Sequence, residues 1–506
     1  MSKPTELYSE LISRARKAAL LSSCEHVLGW DRETYMPVGG NEHRADQLSL
    51  LAGVAHEWST ASEIGDLLEQ LSDSELTENT DSDEAVNIRQ LHRTYERSCK
   101  LPSRLVEELS KVTALAQQHW VEARSSGDYA KFAPWLQKIV ELKREEAAAV
   151  GFPEGGEAYD ALLDEYEPGA TAANVANVFT ALRKQIVPLL DDIRGAAKKP
   201  DSSILTRLYP EPAQEAFAKA AAAAIGFDFT KGRLDVTTHP FCSGFGPGDC
   251  RLTTRYDENF FSSAFFGTLH EAGHGMYEQG LKTDAFGTPM GTSVSLGIHE
   301  SQSRMWENLV GRSRQFWEHF YPKAQTQFPD ALGSTSPDDF HFAINEVSPS
   351  FIRVEADEVT YNLHIMLRFD LERDLINGNL QPNDLPSAWN ERFTSDFGMT
   401  PATHAEGCLQ DIHWSAGLIG YFPTYALGNM YAAQLFQHAQ ETLPDLQQQI
   451  TEGHFAGLLK WLRENVHEHG QRFPAPRLVQ VVTGKPLSDG PLVQQLNQRF
   501  RPLYGI

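Results

Sequence analysis

Apolar positions recur at a spacing of three to four residues over most of the chain. Residues 5–28 place Leu7, Leu11, Ala15, Ala18 and Leu21 near helical spacing with Glu and Arg between them, so an amphipathic helix is expected there. The same pattern predicts a long helix from Ala85 to Arg124, and others over 129–150, 172–196 and 211–225. The last has Pro212 in its first turn, where a missing N–H is tolerated. Leu71 to Glu84 is acidic and rich in Ser and Thr, and reads as an exposed connection. The period then changes. Arg233 to Thr238 and Cys250 to Tyr256 alternate in twos, with Gly246-Pro247-Gly248 between them, which predicts a short antiparallel sheet. Helical spacing resumes near Ser262, a Gly-rich loop occupies 280–298, and helices are expected near 299–320, 337–347 and 351–377. Asn377-Gly378 supplies a stop for the last of these. The final third is again helical. No fixed-period repeat and no long Pro/Gly/Ser linker divides the chain, so residues 1–506 are expected to form a single catalytic domain, mainly α.

Composition narrows the class without identifying it. The 506 residues are 41% hydrophobic and 22% charged, as in ordinary globular proteins. No apolar stretch approaches the roughly 20 residues that a membrane span needs. The N-terminal segment mixes acids with bases and lacks a continuous apolar core, so no signal peptide is expected and a cytoplasmic location follows. Five scattered cysteines argue for reduced thiols rather than a disulfide framework. A formal charge of −24 argues against nonspecific binding to nucleic acid or anionic lipid.

The chemistry concentrates in His270-Glu271-Ala272-Gly273-His274. Four residues advance a helix by about 400°, which puts the two imidazoles on one face, one turn apart. Both can then reach a zinc ion at about 2.0–2.1 Å. Glu271 lies beside that face, where its carboxylate can take a proton from the metal-bound water and pass it to the leaving amine. The apolar run Phe260 to Leu269 suits a helix buried beneath a cleft. Glu300, in His299-Glu300-Ser301-Gln302, follows on the next expected helix and completes a His₂Glu set with an open fourth position. Cobalt or manganese can fit the same donors.

Further motifs carry a resemblance. His239-Pro240-Phe241, Asp249-Cys250-Arg251-Leu252-Thr253, the H-E-x-x-H, His299 to Gln302, Ile352-Arg353-Val354-Glu355-Ala356-Asp357 and Gly407 to Trp414 occur in that order. Together with Leu28 to Pro37 and Tyr159 to Pro168, this series resembles the carboxypeptidase Taq family of zinc metallocarboxypeptidases over nearly the whole chain. The resemblance implies a homodimeric enzyme with one zinc per subunit, releasing C-terminal residues singly and with broad specificity. It also implies a helical body split by a deep groove, like neurolysin and angiotensin-converting enzyme. His270, His274 and Glu300 would be the ligands and Glu271 the general base.

An enzyme acting at a free C-terminus needs a cation for the terminal carboxylate, and the Arg fork suits it. Arg353 is the leading candidate, because the resemblance places its motif at the substrate end, and Arg251 is the other. The alternative for each is an ordinary ion pair, Arg353 with Glu355 or Asp357 and Arg251 with Asp249. His239, at the end of a strand, and His413 are candidate substrate contacts. Asp411, with Gln410 beside it, is a candidate to hold a ligand histidine in its tautomer. Tyr421, in preference to Tyr425, is the candidate donor to the oxyanion. Two other readings share these residues: an oligopeptidase or endopeptidase with the same metal site, and a helical binding protein in which the site is fortuitous.

Overall fold

The computed structural model describes residues 3–506, so the first two residues of the N-terminal segment lie outside it. The chain is mostly helical and falls into two compact units. The first comprises the chain up to Cys99 together with Asp201–Ile344 and Leu435–Lys485. The second comprises Lys100–Pro200, Asn345–Gln434 and Pro486–Ile506. Among the described residues, no helix is long and apolar enough to cross a membrane. All five cysteines are free thiols.

The first unit is built around the helix Phe261–Glu278. Its N-terminal half buries Phe261, Phe265 and Phe266 in an aromatic cluster with Phe217, Trp317, Phe328 and Phe340. Most of the rings are tilted or edge-on, with centroids such as Phe261–Phe340 at 5.8 Å and Trp317–Phe340 at 4.6 Å, while Phe265 stacks on Phe217 and Phe261. Such pairs add to the burial of large apolar surfaces, which anchors the start of the helix and leaves its C-terminal half for chemistry.

Beside this helix lies a three-stranded sheet of order β1 (Gly232–Val236), β3 (Asp249–Thr254), β2 (Cys242–Gly246). The two strands read from the sequence are β1 and β3, and they run parallel, with Leu234 opposite Leu252. The expected antiparallel pairing belongs instead to β2 and β3, which form a hairpin through Gly246 and Gly248, both at positive φ. The reason is topological. β3 inserts between β1 and β2, and the segment 237–241 passes from one to the other while bonding to β3 through Thr237 N to Thr254 O and Phe241 N to Thr253 Oγ1.

The second unit centres on the helix Thr360–Asn377, buried on nearly every side. Its polar residues are buried with partners: Asn362 accepts from Asn429, Arg368 donates to Asp411, and Glu372 accepts from Tyr159, Trp414 and the Gly420 N–H. The helix starts later than the sequence pattern indicates. Asp357 accepts from the Val359 and Thr360 backbone N–H groups and caps it there. Arg353 therefore sits on a separate 3₁₀ turn, Arg353–Glu355, and not on the helix. The expected 85–124 helix is two helices, Asp83–Lys100 and Ser103–Ser126, because Pro102 breaks the run. The expected 299–320 helix is likewise divided, into Leu296–Arg304, a π-helical turn Met305–Val310, and Arg314–Gln327.

Candidate active site

His270, Glu271 and His274 occupy the C-terminal half of Phe261–Glu278, and Glu300 lies in the middle of Leu296–Arg304. Two local features bring them together. Ser295 caps the second helix by accepting from the Ile298 N–H. Gly273 lets the two helix backbones meet, since a Cβ there would lie 2.6 Å from Ser303 Cα and 2.7 Å from Gln302 O. The result is a group of donors, one from each of His270, His274 and Glu300, that lie within 4.8 Å of one another. Glu300 Oε2 is 3.9 Å from His270 Nε2 and 3.5 Å from His274 Nε2.

This donor set fits a divalent metal of the zinc type, with two imidazole nitrogens from partly buried histidines and one oxygen of the buried Glu300 carboxylate converging. Each imidazole turns Nε2 toward Glu300 and has its Nδ1 engaged elsewhere. His270 Nδ1 is 2.8 Å from Glu307 Oε2, and His274 Nδ1 is 2.6 Å from His299 Nδ1. Arg304 donates to Glu300 at 2.7 Å and to Glu307 at 3.3 Å, locking the two carboxylates side by side. Burial opposes the Glu300 charge, yet Arg304 and the two histidines hold its carboxyl well below the usual range. Burial pulls His274 down to about 4, leaving it neutral as a ligand must be. Glu271 is different. Burial pushes its carboxyl up to about 7, with His270 opposing and Glu300 and Glu307 reinforcing, which poises it between acid and base near neutrality.

The residues expected at the substrate end form a second cluster, in the second unit. Arg353 Nε donates to Asp411 Oδ1 at 3.0 Å and its Nη1 to Tyr361 at 3.1 Å. Arg368 holds the other Asp411 oxygen at 2.7 Å. Burial opposes the Asp411 charge, but these two arginines keep it well below the usual carboxylate range. Asp411 is thus tied to arginines rather than to a ligand histidine, the role expected for it. Gln410 accepts from the Arg353 backbone N–H at 2.8 Å and donates to Phe351 O at 2.9 Å, fixing the turn that carries Arg353. His413 Nε2 is 3.4 Å from the Tyr425 hydroxyl, and burial lowers its imidazole to about 4. Tyr421 packs edge-on against Tyr166 and Tyr425.

In the first unit, Arg251 is paired bidentately with Asp249, at 2.9 and 2.8 Å, and stacks 4.3 Å from the Trp30 ring. This is the ion pair considered for it from sequence. His239 is exposed, in the segment between β1 and β2 rather than at a strand end.

Comparison with known proteins agrees with this chemistry. The profile of the carboxypeptidase Taq (M32) metallopeptidase family matches residues 10–500. The chain belongs to that family. Thermostable carboxypeptidase 1 of Thermus thermophilus is 47% identical to it over 99% of this chain and 100% of that one. Carboxypeptidase 1 of Bacillus subtilis is 38% identical over 98% of each. The crystal structure of an M32 carboxypeptidase from Deinococcus radiodurans R1 superposes with a TM-score of 0.95 at 38% identity, covering 99% of this chain and 100% of that one.

For an M32 metallocarboxypeptidase, a metal ion is the expected reactive centre, and the His270–His274–Glu300 group is where this chain can hold one. The residues that sequence reasoning missed are those behind the donors: Glu278, His299, Arg304 and Glu307. Part of the signal was present. Glu278 is one further turn along the His270–His274 face, and Glu300, Arg304 and Glu307 share an i, i+4, i+7 stripe. The π turn that begins at Met305 is what the spacing could not show.

Proposed function

We propose that this chain is a zinc-dependent carboxypeptidase that releases single C-terminal amino acids from peptides, with broad specificity. The observation that carries this reading is the His270–His274–Glu300 group with Glu271 beside it on the same helix. Zinc in that group would polarise the scissile carbonyl and lower the pKa of water there. Glu271 takes the proton of the attacking water and returns it to the departing amine, a task suited to a carboxyl near 7. Glu307 holds His270 with Nε2 turned toward the donor group.

Arg353 is proposed to receive the terminal carboxylate. Its cluster supports this: two guanidinium groups share the single carboxylate of Asp411, while burial keeps His413 neutral. The excess positive charge among these groups suits an anionic chain end. Tyr421 is proposed as donor to the oxyanion, His413 as a substrate contact, and Arg251 and His239 as lesser contacts. The enzyme is proposed to work as a cytoplasmic homodimer, with residues 1–506 as one catalytic domain and cobalt or manganese able to replace zinc.

The test is Glu271→Gln. The variant should retain stoichiometric zinc and lose on the order of 10²–10⁴-fold in kcat. Full peptidase activity in zinc-loaded Glu271→Gln contradicts the mechanism.

A further inference from the structure

Behind His274 lies a chain of groups that the reaction scheme does not use. His274 Nδ1 meets His299 Nδ1 at 2.6 Å, and His299 Nε2 meets Glu278 Oε1 at 2.8 Å. Two nitrogens facing each other at this distance must divide the roles of donor and acceptor, and the partners decide which is which. An ionised Glu278 can only accept, so His299 carries its proton on Nε2. With that proton on Nε2 the His299 lone pair lies on Nδ1, and His274 must donate from its own Nδ1. That leaves the lone pair of His274 on Nε2, the nitrogen 3.5 Å from Glu300 Oε2. With His299 in its other tautomer, the proton of His274 would sit on Nε2 and block ligation.

The chain of groups is held from several sides. Tyr277 packs its ring 5.0 Å from His299, and its hydroxyl accepts from the Val294 N–H. Glu278 lies flat against Gly244 of β2, where a Cβ would collide with its carboxylate. The two histidines of the H-E-x-x-H are therefore supported differently. His270 has a carboxylate directly on Nδ1, whereas His274 reaches one only through a second imidazole.

We propose that Glu278 and His299 are positioning residues that fix His274 in the metal-binding tautomer, and that Gly244 keeps Glu278 in place for this purpose. The proposal rests on the metal-site reading above, and it predicts metal retention rather than rate. Outer-shell partners of this kind typically change metal affinity about 10–100-fold.

The experiment measures zinc affinity of the full-length protein by competition with a chromophoric chelator, together with the d–d absorption of the cobalt(II) form. Glu278→Leu and His299→Leu should each weaken zinc binding about 10–100-fold and alter the cobalt spectrum. Glu278→Gln and His299→Gln retain a carbonyl acceptor at the same place and should recover most of the affinity. Gly244→Ala should reproduce the Glu278→Leu loss without altering either positioning residue. Melting of the metal-free proteins separates packing from positioning, since positioning lowers only the stabilisation gained on adding zinc. Leucine variants that bind zinc within about threefold of wild type, or apo melting temperatures that fall as far as the zinc-loaded ones, would overturn the proposal. Wild-type protein that binds no zinc removes the metal-site reading itself, and the proposal with it. Tight wild-type binding with unaffected variants removes the positioning role alone.

Discussion

Gly273 is the position where the smallest chemical change should do the most damage. A methyl group added there would lie 2.6 Å from Ser303 Cα, 2.7 Å from Gln302 O and 2.9 Å from Ser303 N. All three are backbone atoms of the Glu300 helix and its C-terminal end, so no side-chain rotation relieves the contact. Ordinary carbon contacts are about 3.5–4.0 Å, so the helices must separate by about 1 Å. Overpacking of this kind costs about 1–3 kcal/mol, offset by about 1 kcal/mol from replacing a helical Gly with Ala. The net loss of fold stability is therefore small, about 0–2 kcal/mol. The site is far less tolerant. Metal–ligand distances hold to about 0.2 Å, and a reacting group misplaced by about 1 Å can lose about 10²-fold in rate. Gly273→Ala should thus stay folded in circular dichroism, melt within a few degrees of wild type when metal-free, and lose about 10²-fold in kcat/KM with weakened zinc binding. Wild-type zinc affinity and kcat/KM in the folded variant would refute the claim that this backbone contact sets the position of Glu300.

Other residues give independent checks. Glu307→Leu removes the acceptor from His270 Nδ1 and should weaken zinc binding about 10–100-fold in the same chelator competition. Arg353→Leu should raise KM for peptides with a free C-terminus and leave its buried partner Asp411 short of one cation, at a cost of about 2–5 kcal/mol; a free-carboxylate substrate with unchanged KM would exclude Arg353 as the anchor. Burial raises the Glu372 carboxyl to about 7, although Tyr159, Trp414 and Gly420 donate to it. The folded protein then holds a proton that the unfolded chain releases near the ordinary carboxyl value, so Glu372 contributes a stability that falls as pH rises from about 4.5 to 7 and is level above, of order 3 kcal/mol in all. Urea unfolding of wild type and Glu372→Gln across that range should show the variant losing this slope; parallel pH profiles would contradict it.

Much of the fold was legible because helical periodicity is a local signal. Phe261–Glu278, Glu211–Ile225 and the stop at Gly378 follow directly from spacing and cap residues. The donors His270 and His274 were legible for the same reason, since i and i+4 on a helix is a fixed geometry. What escaped depends on contacts between distant segments. β2 reads Cys242-Ser243-Gly244-Phe245-Gly246, with too few branched side chains to signal a strand, so the sequence alone suggests a two-stranded antiparallel sheet where the fold has a mixed one. The turn carrying Arg353 reads as part of a helix because Asp357 marks the start only through its bonds to the Val359 and Thr360 N–H groups, with acids on both sides of it in sequence. His299 looked like a neighbour of Glu300, and only the fold shows that it faces His274. Asp411 had the right chemistry to support a ligand histidine, but the second unit gives it to Arg353 and Arg368.

Metal-dependent cleavage at a free C-terminus is read out by mass spectrometry of a digested peptide. One peptide is incubated with the purified protein in free-acid and C-terminally amidated forms, each with and without chelator. The expected product is a ladder that shortens one residue at a time from the C-terminus of the free acid, is lost with chelator, and is absent for the amide. Internal fragments from the amidated peptide, or a ladder that persists in chelator, would contradict it.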